Sequence, residues 1–341
     1  MSLKMKNISF ITGMLMLFLI LWGTGSLASE PDGFSGFGRS TDIAPDDSEL
    51  VFSYYDGDDA ALYTVPVSGG KAELLAKPEE GKSFLNPTFS PNGEKIAFVE
   101  QWETEDKRYS QLRILKRKKK SVAQRVNIDG YVTEAAFSSD GKLLYFLKAG
   151  TYKNYSPIAS KRPHDFDIFR LDLQTGETKQ ITSKKAYDMS SLEVTPDGSK
   201  LMYRTYQDTD QLVFRSIKDG KEKTMVPMGD FASKAPIFSS PTLSPDGEHV
   251  VFTDVATEDE DGIFVYEAFR MDIETKQAKQ LTSFYEHVTS PTFFHNENKL
   301  IVTVDKNFAG RDPEYSYWQI RMDGEKRKRV SIEMPDELGN G

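Results

Sequence analysis

The 341-residue chain contains no cysteine. That absence excludes disulfides, thiolate metal sites, thiol nucleophiles and lipid attachment at a cysteine. Histidine is scarce, with only His164, His249, His287 and His295. No H-E-x-x-H zinc motif occurs, and no G-x-S-x-G nucleophile elbow occurs downstream of residue 28. Positive charge is also short: 43 Lys and Arg stand against 52 Asp and Glu, a net charge of −9. Phosphate backbones are bound by Lys and Arg, so nucleic acid is excluded as the main partner. Beyond Trp22 no apolar run approaches the roughly 20 residues of a membrane span.

What the chain does have begins at its N-terminus. Lys4 and Lys6 precede an apolar run from Ile8 to Trp22, and Ser26 and Ala28 follow at −3 and −1 of a cleavage point. This is the layout of a signal peptide over residues 1–28; the alternative is an uncleaved anchor, for which the run is short. Cleavage removes two lysines and no acid, and takes the charge from −9 to −11.

A phrase then repeats: "NPTFSPNGEKIAF" at Asn86–Phe98, "SSLEVTPDGSKLMY" at Ser190–Tyr203 and "SPTLSPDGEHVVF" at Ser240–Phe252. Aligned on its proline place, it occurs at Pro45, Pro91, Ser139, Pro196, Pro245 and His295, with spacings of 46, 48, 57, 49 and 50. Such a period marks stacked units, each too small to bury its own apolar face. Five places on stand Leu50, Ile96, Leu144, Leu201, Val250 and Leu300; seven places on stand Phe52, Phe98, Phe146, Tyr203, Phe252 and Val302. A spacing of two is strand periodicity. Between the strands, Pro, Asp or Asn, and Gly write a tight turn. Each unit holds two further strands, as in "DIFRLDLQTGETKQITS" at Asp167–Ser183. The expected fold is all-β: a six-bladed β-propeller of four-stranded antiparallel blades over residues 41–332, after a short segment at 29–40 and before a tail at 333–341.

The SPDG turn with its apolar triplet, and the "QIT" and "QLT" ends at Gln180–Thr182 and Gln280–Thr282, resemble the TolB-like β-propeller family from about Thr41 to Ile332. The resemblance implies an extracytoplasmic platform that binds a protein or cell-envelope component, secreted or periplasmic and monomeric. Related propellers include lyases that hold a metal with three histidines and a glutamine, and large peptidases with an appended hydrolase domain. The repeats leave no residues for such a domain.

In each unit the SPDG turns lie on one face and the B–C loops and D–A connections on the other. The second face is varied. Its expected loops are Glu100–Ser110, Lys148–Phe166, Asp254–Gly262 and Asp305–Ser316. Binding groups usually sit on variable loops over a rigid scaffold. The candidates are Trp102, Tyr152, Tyr155, His164, Phe231, Tyr285, His287, Phe308 and Arg311. The alternative is a metal-assisted hydrolase or lyase, with calcium at the channel mouth held by Asp42, Asn86, Glu134 and Glu193. By topology, His164 and His287 fall on the variable face and His249 and His295 on the turn face, so three cannot share a metal. "TEDEDGIF" at Thr257–Phe264 lacks the first and last ligands of an EF-hand loop, and "KRKKK" at Lys116–Lys120 reads as a solvated outer turn.

Overall fold

The computed structural model describes residues 34–335, apart from 58, 105–106, 120, 127, 129, 155–160, 207–208, 233–235, 259, 261 and 311. The segment 1–28 expected as a signal peptide, Tyr155 and Arg311 lie outside the described residues. The first strands are β1 (Gly36–Ile43), β2 (Glu49–Asp56), β3 (Asp59–Pro66), β4 (Gly70–Lys71) and β5 (Glu73–Ala76). A second group is β6 (Lys82–Phe89), β7 (Lys95–Glu103), β8 (Arg108–Lys116) and β9 (Ser121–Val126). A third is β10 (Tyr131–Phe137), β11 (Leu143–Asn154), β12 (Lys161–Asp172) and β13 (Thr178–Gln180). Next come β14 (Asp188–Val194), β15 (Lys200–Tyr206), β16 (Asp210–Ser216) and β17 (Glu222–Met225). The remainder are β18 (Ser239–Leu243), β19 (His249–Glu258), β20 (Phe264–Asp272) and β21 (Ala278–Gln280), then β22 (His287–Phe293), β23 (Lys299–Asp305), β24 (Tyr315–Arg321), β25 (Arg327–Val330) and β26 (Ile332–Glu333).

The chain is all-β. Each group pairs in sequence order as an antiparallel four-stranded sheet, the first running β1-β2-β3-β5. The last two groups touch through one parallel pair, Tyr266 with His287. The innermost strands contact one another in succession, β1 to β6, β10, β14, β18 and β22, and β22 returns to β1.

The repeated phrase is explained atom by atom. In the fifth sheet, Ser244 Oγ donates to Asp246 and accepts from His249 N–H, and Asp246 Oδ1 accepts from Glu248 N–H. Gly247 then closes the turn at φ 72°, a conformation that costs glycine little. The fourth sheet repeats this with Thr195, Asp197 and Gly198. Hydroxyls of Ser199 and Thr195 hold the Asp197 carboxyl down to about 2.

Beyond the turn, the two apolar columns supply the core. Phe52, Phe98, Phe146, Tyr203, Phe252 and Val302 are all fully buried. They pack against rings of their own sheet, as Phe252 does on Phe269, and between sheets. One cluster joins Val51 and Leu62 of the first sheet to Phe89 and Phe98 of the second, and another joins Phe52 and Tyr63 to Phe294 and Tyr317 of the last. Each such ring contributes about 1.5–3 kcal/mol by leaving water.

The "QIT" and "QLT" ends are locks on the outer strands. Thr282 Oγ1 donates to Glu267 at 2.6 Å and accepts from Ala268 N–H at 2.8 Å. Thr182 does the same with Asp167 and Ile168. Each threonine fixes the connection that leads to the next innermost strand.

Several expectations change, and Glu100–Ser110, expected as a loop, is paired strand out to Glu103 opposite Arg108. Lys148–Phe166, expected as a long loop, is mostly paired strand: β11 and β12 stay in register out to Asn154 opposite Lys161. Likewise β19 and β20 run on to Glu258 opposite Phe264. Their side chains pair across the ladder even though they lack the apolar columns, so periodicity alone understates strand length. Strand β1 also starts at Gly36, inside the segment expected to precede the repeats.

The first and last sheets are in contact. Asp47 accepts from the N–H groups of His295 (2.7 Å) and Asn296 (2.8 Å), and Tyr317 Oη donates to Gly38 O. The short β26 pairs in parallel with β4.

Candidate functional site

Each innermost strand carries a register shift five or so residues before its turn. Asn86, Ser191, Ser240 and Ser290 sit at these bulges with φ between 47° and 54°. A bulge re-aims a side chain, and here it lines a shared central cavity of about 1040 Å³. Asp42, Asn86, Glu134 and Glu193 all border that cavity, as the calcium alternative required.

Their oxygens are already committed. Asp42 accepts from Ile43 N–H and, across the joint, from Phe89 N–H at 2.7 Å. Glu193 crosses the next-but-two joint to Leu243 N–H at 2.9 Å, and Glu134 reaches Leu192 N–H at 3.2 Å. Asn86 donates to Thr133 O. These groups tether neighbouring sheets. Burial raises the carboxyls of Glu134 and Glu193 to about 7 and that of Asp42 above its usual range. Calcium wants six to eight oxygens with ionised carboxylates among them. A calcium ion there would have to share these oxygens with the backbone N–H groups from which they already accept.

The aromatic candidates separate into clusters around the loop face. Trp102 stacks on Tyr109 at 5.4 Å, and Tyr152 leans on Tyr131 at 6.0 Å. His287 touches Phe308 at 3.8 Å and Tyr266 at 4.7 Å. Tyr285, two residues before His287, is 75% exposed. Two candidates turn inward instead. His164 is buried, against Tyr187 and within hydrogen-bond reach of Lys153 O. Phe231 packs on the core rings Phe252 and Phe269. His287 is held down to about 4 by burial, then by the nearby Arg39, so it is neutral at pH 7.

Sequence reasoning missed Tyr131, Tyr187, Tyr266 and Arg39. The tyrosines stand at or beside strand ends, one step from the loops. Arg39 fell in the segment thought to precede the repeats; its guanidinium reaches Thr289 Oγ1 at 2.9 Å across the joint with the last sheet.

No protein-family model matches the chain, and no curated protein matches it. Solved structures do. TolB from Acinetobacter baumannii is 19% identical over 89% of this chain and 65% of its own length, with a TM-score of 0.57. The chain has the TolB-like propeller fold. It spans just under two thirds of that TolB. An oligogalacturonate lyase in complex with manganese shares the fold at 17% identity, covering 87% of this chain and 77% of the lyase, TM-score 0.54. A puromycin-hydrolysing peptidase from Mycobacterium tuberculosis is 13% identical over 84% of this chain but 44% of its own, TM-score 0.54.

Within the TolB-like fold, a three-histidine metal site of the kind the resemblance raised does not fit this chain. No three of its four histidines bring ligand atoms together. Among the described residues, the group with metal-ligand spacing is Asp246, Glu248 and His249 on an exposed turn. Asp246 there already serves Ser244 and Glu248. His295, placed by topology on the turn face, is exposed at the cavity rim and within hydrogen-bond reach of Ile43 O. No helix among the described residues is long and apolar enough to cross a membrane.

Proposed function

We propose that the chain is an exported, six-bladed propeller, closed by contact of its first and last blades, that binds a protein or cell-envelope component through its loop face without catalysis. The observation that carries this reading is the contrast between the two faces. One face repeats a single tight turn. The other presents Trp102, Tyr152, Tyr285 and Phe308 on ends that differ from sheet to sheet. The succession of innermost strands that returns to its start supports closure. The commitment of the cavity carboxylates to inter-sheet hydrogen bonds favours binding over metal-assisted hydrolysis.

The test uses residues 29–341 as bait against solubilised envelope. Trp102→Ala with Phe308→Ala should lose the captured component, while Glu94→Ala with Glu248→Ala on the turn face should retain it. Equal capture by both double variants would sink the proposal. A second check is hydrolysis or elimination of ester and uronide substrates, for which no turnover is expected with or without calcium.

A further inference from the structure

Three large aromatic side chains stand exposed at the loop-face ends and connections of the last two sheets. Tyr285 is 75% exposed, Phe264 53% and Phe308 46%. Phe308 contacts both Tyr266 and His287, which also contact each other. Phe264 is two residues further out along β20 than Tyr266, on the same side of the strand.

The scaffold does not require an aromatic at 285. The turn after "QLT" puts Tyr285 at φ 58°, where its N–H donates to Glu267 at 2.7 Å. The same turn after "QIT" puts Lys185 at φ 48°, directly after Lys184, whose N–H donates to the equivalent carboxylate Asp167. A lysine meets the backbone demand as well as a tyrosine does. The architecture therefore accounts for the strained turn and not for the ring. Clustered exposed aromatics mark interaction sites, and Tyr is enriched among residues that dominate binding.

The rim is acidic. Glu258 lies directly across the ladder from Phe264. Glu260, Glu286, Asp312 and Glu314 occupy the same three connections, against a single described cation, Lys306.

We infer that this patch docks a polypeptide segment that carries Lys or Arg beside an aromatic or aliphatic side chain. The inference rests on the loop face being the binding face. The rings cover the apolar side chain, and the carboxylates attract and orient the cation. Complementary charge mostly sets specificity and on-rate, so binding is salt-sensitive.

The probe is a pair of short fluorescent peptides. Both alternate leucine and tryptophan with charged residues, lysine in one and glutamate in the other. Fluorescence anisotropy with the full chain should show the lysine peptide bound at least about tenfold more tightly, with the preference shrinking as the Debye length falls from about 10 to 3 Å. Tyr285→Ser with Phe308→Ser should weaken the lysine peptide by roughly tenfold or more. Glu258→Lys with Glu260→Lys changes only exposed groups and should shift the preference toward the glutamate peptide. Equal affinity for both peptides, or unchanged binding in both double variants, overturns the inference. So does concentration-dependent self-association lost in the aromatic variant, since a second copy would then be the occupant. If envelope capture still depends on the loop face while neither peptide is preferred, this inference alone fails. If capture ignores the loop face, the wider reading fails.

Discussion

Glu134 offers the sharpest physical test of how the sheets are held together. Its carboxyl lies half-buried on the cavity wall at a joint, accepts from Leu192 N–H, and is raised by desolvation from 4.5 to about 7. The folded state therefore holds its proton more tightly than the unfolded chain does. The stabilisation is fully present below about pH 4.5 and is lost as pH rises through 7. A shift of roughly 2.5 units at about 1.4 kcal/mol per unit gives a penalty of order 3 kcal/mol above pH 8. Glu193, raised to about 7 by burial and then by its carboxylate neighbours, adds a coupled penalty of similar size, so the two do not simply sum. Glu134→Gln keeps an acceptor oxygen for Leu192 and removes the charge. Thermal unfolding followed by circular dichroism should show wild type and variant alike at pH 5. At pH 8 the variant should melt higher, by roughly 5 °C for about 3 kcal/mol in a chain of this size. A variant less stable than wild type at pH 8 would refute the reasoning. It would mean that the carboxylate is ionised and paired, as a bound cation would require; added calcium should then raise the wild-type melting temperature.

Asp47→Gly restores the glycine that the other turns use, yet it should destabilise by about 2 kcal/mol, because it removes the acceptor for His295 and Asn296 N–H on the last sheet. Urea unfolding checks it, and a gain in stability would contradict the closure contacts. Thr282→Val should cost roughly 2–3 kcal/mol by leaving Ala268 N–H and a Glu267 oxygen unpaired, while Thr275→Val on an exposed turn should cost under about 1 kcal/mol. Equal effects of the two would remove the lock. His287, held down to about 4, should show imidazole resonances that do not titrate between pH 7.5 and 5.5, and a titration midpoint near 6.5 would show it solvated.

The fold was legible because its determinants are local and repeated. The turn residues Pro245, Asp246 and Gly247 and the buried pair Val250 and Phe252 state their own roles in sequence. The cavity was partly legible: the alignment brought Asp42, Glu134 and Glu193 to one wall, but their hydrogen bonds cross joints between residues about 50 apart, and no local pattern encodes them. Asp47 shows no role in sequence for the same reason, since its partners lie about 250 residues away. On the loop face, His164 and Tyr285 look alike in sequence. Only tertiary packing buries the first and exposes the second.

The most direct test of the proposed loop-face binding is amide hydrogen exchange of the protein alone and with any envelope component that the bait experiment captures. Protection should rise at 100–110, 254–264, 283–287 and 305–316, and stay unchanged at the turns 90–94, 195–199 and 244–248. Protection confined to those turns, or to the innermost strands around the cavity, would contradict the account.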